Sequence, residues 1–151
     1  MRNKSAKYLL IGAVISVAVL TVISVFFFDA FVIEPNWITV ENVVISDRKL
    51  AASLEGTTLL QISDLHLQGE LGFRERSLIA AINRIEPDYI LITGDLVESA
   101  DAAPLAAEFI RKLKPRYWTY GVLGNSDLHY LEKDSDYAAL WKAAGLTLLG
   151  D

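Results

Sequence analysis

Three short polar motifs carry side chains of the kinds that bind metal ions. Asp64 and His66 follow one apolar run, Asp95 follows a second, and Asn125 and Asp127 follow a third. Carboxylate oxygens, imidazole nitrogens and amide oxygens are ligands for hard and borderline divalent cations. The chain contains no cysteine, which excludes thiolate metal sites, cysteine nucleophiles and disulfides. The sequence therefore predicts a metal site built from oxygen and nitrogen ligands.

The spacing of these residues predicts how each would contribute to a metal site. Asp64 and His66 stand two positions apart, so in an extended chain both project to the same side. Gly94 permits a tight turn before Asp95, and one carboxylate can bridge two cations about 3.5–4 Å apart. Any one motif alone is more often an ordinary turn or a helix cap. Separations of 31 and 30 positions between Asp64, Asp95 and Asn125 favour a shared site.

The motifs are separated by alternating strand and helix patterns. Apolar or β-branched runs predict strands at Trp37–Ile45 (an edge strand), Thr57–Ile62, Tyr89–Thr93, Tyr117–Leu123 and Leu146–Leu149, and helical spacing predicts helices at Arg74–Ile85, Pro104–Leu113 and Ser135–Ala144. We expect the strands at 57–62 and 89–93 to be buried on both faces. Units of about 30 residues imply βαβ crossovers and a mainly parallel sheet, hence an α/β fold. Ligands of such sheets bind beyond the carboxyl ends of the strands, where all three motifs lie.

The N-terminal region predicts a membrane anchor. A basic segment, residues 1–7, precedes an uncharged apolar run at residues 8–28, whose helix would be about 30 Å long, the thickness of a bilayer core. A cleaved signal peptide is the alternative, but this run is longer than a signal's apolar region and ends in three phenylalanines. The basic residues Arg2, Lys4 and Lys7 predict a single-pass cell-membrane protein with its N-terminus in the cytoplasm and its domain outside.

The charge balance excludes one class of partner. Beyond Phe28 the chain has 11 basic and 19 acidic residues, a formal net charge of −8. A nucleic-acid-binding surface needs a basic patch or stripe, so we expect no nucleic-acid partner. Some of the surplus carboxylates are expected to hold cations.

Together the motifs resemble those of a known family. Asp64-Leu65-His66, Gly94-Asp95 and Gly124-Asn125-x-Asp127 are similar to the first three motifs of the calcineurin-like metallophosphoesterases, and residues 43–67 resemble the opening of its bacterial membrane-anchored subgroup. The resemblance covers residues 37–151. It implies the N-terminal half of a four-layer α/β/β/α sandwich, preceded here by one transmembrane helix, and two divalent metal ions (Mn, Fe or Zn). By motif position, Asp64, His66 and Asp95 would hold one metal, and Asp95 would bridge to a second held by Asn125.

Two departures from the family pattern affect the predicted chemistry. Ser126 stands where the family usually has a histidine that stabilises the transition state or protonates the leaving group. Asp127 and His129 are the remaining predicted catalytic residues, with His129 expected to reach back toward the site. The family also uses a Gly-His-x-His motif from its second half, whereas His66 and His129 are the two histidines here. We therefore expect a missing C-terminal half to complete the site.

The predicted function is metal-dependent hydrolysis of a phosphomonoester, phosphodiester or pyrophosphate. The resemblance implies direct attack of water on phosphorus without a covalent enzyme intermediate. The anchor makes a lipid-linked phosphate ester a plausible substrate. Two alternatives remain open: a catalytically inactive membrane-tethered module that binds a phospholigand or a protein, and a fragment without a function.

Overall fold

The computed structural model describes residues 4–33, 37–47, 49, 52–131 and 136–150 of the chain. These belong to two compact units, Met1–Glu41 and Asn42–Asp151. Three positions named above, Arg2, Ser135 and Asp151, lie outside the described residues.

The first unit contains one long apolar helix. Helix α1 runs from Lys4 to Phe28 and continues into a π-helical turn at Asp29–Ile33. Its apolar side chains are exposed on every side, as expected for a helix whose solvent is lipid. The Thr21 hydroxyl donates to the Val17 carbonyl at 2.9 Å, so that polar group is satisfied within the helix. A stretch of 25 residues, Lys7–Phe31, is long and apolar enough to cross a membrane, and the predicted span 8–28 lies inside it.

The second unit is built on a parallel four-stranded sheet, which confirms the α/β prediction. Its strands are β1 (Leu59–Ile62), β2 (Tyr89–Thr93), β3 (Trp118–Val122) and β4 (Leu146–Leu148), in the order β1-β2-β3-β4. The register places Leu59 beside Tyr89 and Tyr89 beside Trp118, so the strands finish at a common edge. That edge is where the three motifs follow the first three strands.

The described residues of this unit include four helices: α2 (Phe73–Ile85), α3 (Ala103–Lys112), α4 (Asn125–Leu131) and α5 (Asp136–Ala143). Short 3-10 turns occupy Ala52–Leu54 and Ala100–Ala102. Helices α2, α3 and α5 start and end close to their predicted bounds. Helix α4 is not among the predicted helices, and Asn125 begins it.

The hydrophobic core lies on one face of the sheet. Ile90 and Ile92 of β2 pack in one cluster with Ile82 of α2, Phe109 of α3 and Trp141 of α5. On the opposite face, aligned by the strand register, Leu59, Trp118 and Val122 are 52%, 58% and 41% exposed. Among the described residues, the core therefore covers the strands at 57–62 and 89–93 on one face, whereas the prediction has them buried on both.

The predicted edge strand at Trp37–Ile45 is also wrong. Residues 37–47 form no strand, and Val43, Val44 and Ile45 are exposed. A β-branched run has the propensity for a strand, but a strand also needs a neighbour for its N–H and C=O groups. The sheet begins instead at β1.

Candidate metal centre

The carboxyl edge of the sheet brings three predicted ligands together. Asp64, His66 and Asp95 each offer one ligand atom, and these atoms lie within 4.8 Å of one another. Asp64 is exposed, while His66 and Asp95 are half-buried. The group is thus open to solvent on one side and anchored in the loops on the other.

These three residues adopt an unusual backbone conformation. The φ angles of Asp64, His66 and Asp95 are +55°, +46° and +52°, in the left-handed region that non-glycine residues rarely occupy. The expectation that Asp64 and His66 project from an extended chain is therefore wrong, although their ligand atoms do converge. Such strained residues cluster at binding and active sites, where surrounding contacts hold them in place.

Main-chain hydrogen bonds join the first motif to the second. The Asp64 N–H donates to the Gly94 carbonyl at 3.1 Å, and the His66 N–H donates to the Asp95 carbonyl at 3.0 Å. The pairing continues through Leu67, whose N–H donates to the Leu96 carbonyl at 2.9 Å. The loops 63–67 and 94–98 therefore extend the pairing of β1 with β2, and this fixes the relative positions of the three ligands.

The second motif is packed equally closely against the third. A Cβ atom on Gly94 would lie 2.7 Å from the Gly124 Cα atom, and a Cβ on Gly124 would collide with the Asp95 carboxylate. The Ser126 N–H donates to Asp95 Oδ1 at 2.8 Å. Glycine is needed at both positions because two backbones and a carboxylate occupy the same small space.

Asn125 is the exposed first residue of α4. It adjoins Ser126, which is bonded to Asp95. The third motif therefore lies beside the ligand group, through the hydrogen bond of Ser126 to Asp95.

Asp127 is 1% exposed and lies between the loops. Its Oδ1 accepts the N–H groups of Leu96 and Val97 at 2.9 and 3.0 Å, and its Oδ2 accepts the Gly124 N–H at 3.0 Å. Both carboxylate oxygens are thus engaged by main chain. His129, the other predicted catalytic residue, is exposed on α4, and its ring packs edge-on against Tyr130 at 4.9 Å between centroids.

Glu98 is a neighbour of the site that the sequence did not single out. Its Oε2 lies 2.6 Å from His66 Nδ1. The geometry gives this ring nitrogen no aligned hydrogen bond, so the pair is a close approach of two polar groups. The sequence could have indicated Glu98 as a neighbour of the site, since it is the second carboxylate after Gly94 and stands three positions beyond Asp95.

The charge of the site suits a divalent cation. Among residues 52–131 and 136–150, neither Asp64 nor Asp95 forms an ion pair with a lysine or arginine. Two carboxylates held together without a cationic partner repel each other, and a cation between them removes that cost. Oxygen and imidazole ligands together fit manganese, iron or zinc.

Comparisons with known proteins agree with this chemistry. A "Transmembrane protein with metallophosphoesterase domain" from Danio rerio is 35% identical over 92 residues, which cover 60% of this chain and 21% of that protein. The "Uncharacterized metallophosphoesterase YkuE" of Bacillus subtilis is 27% identical over 120 residues, 77% of this chain and 42% of that protein. The chain therefore spans less than half the length of these relatives.

A solved structure and a family profile also match part of the chain. The crystal structure of a phosphopantetheinyl hydrolase from Mycobacterium tuberculosis aligns with a TM-score of 0.43 and 22% identity, over 61% of this chain and 35% of that one. The profile of the calcineurin-like phosphoesterases matches residues 57–149. That match takes in more than half of the chain and all three motifs. The chain belongs to the calcineurin-like phosphoesterase family.

Proposed function

We propose that this chain is a divalent-metal-dependent phosphoester hydrolase. The observation that carries the proposal is the convergence of Asp64, His66 and Asp95 within 4.8 Å at the carboxyl edge of the sheet. Membership of the family supports the reaction class. Bound divalent cations would act as Lewis acids there and stabilise the charge that develops on the phosphoryl oxygens.

The chain's own residues have distinct roles in this proposal. Asp64, His66 and Asp95 would hold one cation, and Asp95 would also contribute to holding a second. Asn125 offers its amide oxygen to that second ion from the start of α4. The Ser126 N–H, bonded to Asp95 Oδ1 at 2.8 Å, keeps the bridging carboxylate in place.

Proton transfer to the leaving group is the step for which the motifs offer the fewest suitable side chains. Ser126 has no group that titrates near neutral pH, so it cannot replace a histidine as general acid. We propose that His129, exposed on α4, supplies the proton to the leaving group. Asp127 does not have this role in the proposal, since both of its oxygens accept main-chain N–H groups.

The complete protein is proposed to be larger and membrane-bound. The chain spans 21% and 42% of two relatives, and we expect the further ligands of the second cation to come from a segment outside these 151 residues. Helix α1 would anchor the domain in a single pass, with Lys4 and Lys7 on the cytoplasmic side. This placement favours a lipid-linked phosphate ester as substrate.

Metal binding can be tested on the full chain in detergent micelles. We expect calorimetry to detect Mn²⁺ binding to the wild type and strongly weakened binding to Asp95→Asn. Hydrolysis of bis-p-nitrophenyl phosphate by a longer chain that carries the further ligands should then depend on Mn²⁺ and fall to the Asp95→Asn background when the metal is chelated. Absence of Mn²⁺ binding by a folded wild type would overturn the proposal.

The same experiment separates the second candidate function. A membrane-tethered binding module is favoured by one observation, the serine at position 126. Mn²⁺ binding by that longer chain without any turnover, together with binding of inorganic phosphate to the loaded chain, would support the module and contradict a hydrolase. Turnover that is unaffected by Asp95→Asn would contradict both assignments.

A further inference from the structure

The buried carboxylate of Asp127 joins two of the three loops that form the metal centre. It is 1% exposed and receives three main-chain N–H groups, from Leu96, Val97 and Gly124, at 2.9–3.0 Å. Leu96 and Val97 belong to the loop that carries Asp95, and Gly124 belongs to the loop that carries Asn125. One side chain therefore spans the junction between two groups of ligands.

The contacts around this junction depend on its width. A Cβ on Gly94 would meet the Gly124 Cα at 2.7 Å, so the two backbones are as close as glycine allows. The Ser126 N–H reaches Asp95 Oδ1 at 2.8 Å across the same gap. If the loops separated, this hydrogen bond would break first, and the Asp95 carboxylate would be free to rotate.

A carboxylate suits this position because it only accepts hydrogen bonds. Three N–H donors converge on it, and a charged acceptor binds such donors more strongly than a neutral one. Within the described residues no lysine or arginine forms an ion pair with Asp127. The main chain alone balances the buried charge, which makes the loop geometry and the Asp127 carboxylate dependent on each other.

We infer that Asp127 is a positioning residue that holds the Asp95 loop against the Asn125 loop before metal binds. The inference rests on the proposed function, because it assigns Asp127 the task of arranging that metal centre. Asp127 touches neither metal nor substrate in this account, and it acts through Leu96, Val97 and Gly124. We call the Asp127 carboxylate, together with the N–H groups of Leu96, Val97 and Gly124 that it accepts, the clamp. The clamp would maintain the strained φ of +52° at Asp95.

The first test is Asp127→Asn in the full chain in detergent micelles. An asparagine keeps the shape but turns an NH₂ group toward at least one N–H donor, so one loop contact becomes repulsive. We expect Mn²⁺ affinity, measured by calorimetry, to fall by about 10–100-fold, as for other residues that orient metal ligands. Tryptophan fluorescence, in which the buried Trp141 reports beside the exposed Trp37 and Trp118, verifies that the domain remains folded during the titration.

Asp88→Asn is the matched control. Asp88 is 8% exposed and accepts the Thr58 N–H at 2.9 Å, but it lies before β2, at the opposite edge of the sheet. We expect this variant to lose stability while its Mn²⁺ affinity stays within about twofold of wild type, because distant sites act independently. Equal losses of Mn²⁺ affinity in the two variants would show that Asp127 acts only through global stability, and this would overturn the inference.

Hydrogen exchange of the wild type gives a test that needs no variant. The clamp predicts that the amides of Leu96, Val97 and Gly124 are protected in the metal-free chain. Exchange of these amides at the rate of an open chain, with protection appearing only after Mn²⁺ is added, would contradict a preformed clamp. A wild type that does not bind Mn²⁺ but protects these amides would sink the proposed function and leave the clamp as a structural feature.

Discussion

Asp88 and Asp127 make similar connections at opposite edges of the sheet. Asp88, before β2, accepts the Thr58 N–H and also pairs with Arg116 at 3.1 Å, so its charge has a cationic partner. Asp127, beyond β3, accepts three N–H groups and, among the described residues, has no basic partner. The amino edge of the sheet is neutralised internally, whereas the carboxyl edge keeps its negative charge.

The backbone conformation also differs between the amino and carboxyl edges of the sheet. At the amino edge, ordinary main-chain bonds such as Tyr117 N–H to the Asp88 carbonyl at 2.9 Å continue the strand pairing. At the carboxyl edge, Asp64, His66 and Asp95 all have positive φ. Strain of this kind costs on the order of 1–3 kcal/mol for each residue. Glu86, before β2, also has a positive φ of +51°, but it is the C-cap of α2, where a left-handed residue is common. The carboxyl edge differs because three such residues lie there beside carboxylates without a basic partner among the described residues, which suits this edge to binding a cation.

The largest expected effect is that of Asp95→Asn on metal binding. We expect Mn²⁺ affinity to fall by more than about 100-fold, because loss of a direct ligand should exceed the ~10–100-fold cost of losing an orienting partner. The asparagine oxygen still accepts the Ser126 N–H, and repulsion from Asp64 is relieved. The free energy of unfolding without metal should therefore stay within about 1 kcal/mol of wild type.

Calorimetry measures the Mn²⁺ affinity. Urea denaturation, monitored by the fluorescence of Trp141 and the other tryptophans, measures the free energy of unfolding. If metal-free Asp95→Asn lost as much stability as Asp88→Asn, the proposed difference between the two edges would be contradicted. In that case the carboxyl-edge charge would be structural.

Gly94→Ala should have the next largest effect, on stability. Gly94 has a φ of +101°, and its added Cβ would meet Gly124 Cα at 2.7 Å. We expect about 1–3 kcal/mol from backbone strain and about 1–3 kcal/mol more from the collision. Urea denaturation of the metal-free chain measures the sum.

Gly145→Ala isolates the contribution of the collision. Gly145 has nearly the same φ, +105°, but no atom lies within 4 Å of its added Cβ. It should therefore show the strain alone. Equal losses of stability in the two variants would mean that the loops of the carboxyl edge are not held in close contact.

Glu98→Gln probes the charge that faces His66. Glu98 Oε2 lies 2.6 Å from His66 Nδ1, and carboxylates beside metal-binding histidines orient the ring and raise its affinity. We expect Mn²⁺ affinity to fall by up to about tenfold. This is the lower end of the ~10–100-fold cost of losing an orienting partner, because Glu98 is 43% exposed. Glu108→Gln, which removes a surface carboxylate of α3, is the control and should leave Mn²⁺ affinity unchanged. An unaltered affinity in Glu98→Gln would exclude a role for that carboxylate.

The contrast between the edges also explains what the sequence could predict. Strand β2 was placed at its true bounds because an apolar run between Pro87-Asp88 and Gly94 identifies a strand from local pattern alone. The convergence of Asp64, His66 and Asp95 followed from parallel topology, which puts strand ends at one edge. These features depend on periodicity and chain order.

Features that depend on three-dimensional contacts were not predictable in this way. The positive φ at Asp64 and His66 follows from bonds to the loop of Asp95, about 30 residues away in sequence. The bonds of the Asp127 carboxylate to Leu96 and Val97 are equally distant. Helix α4 was missed because Asn125 and Ser126 are as typical of turns as of helix starts.

The smallest expected effect is that of Arg116→Gln at the amino edge. Arg116 is 65% exposed, so water screens its attraction to Asp88, and we expect a loss of only about 0.5–1 kcal/mol in the free energy of unfolding. The loss should shrink in high salt, because screening already weakens the wild-type pair. Mn²⁺ affinity should not change, since Arg116 and the ligand group lie at opposite ends of the strands. A change in Mn²⁺ affinity beyond about twofold would show that the two edges are energetically coupled, because independent sites stay within that limit. If the affinity holds while stability falls, then charge neutralisation at the amino edge supports the fold without influencing the cation site.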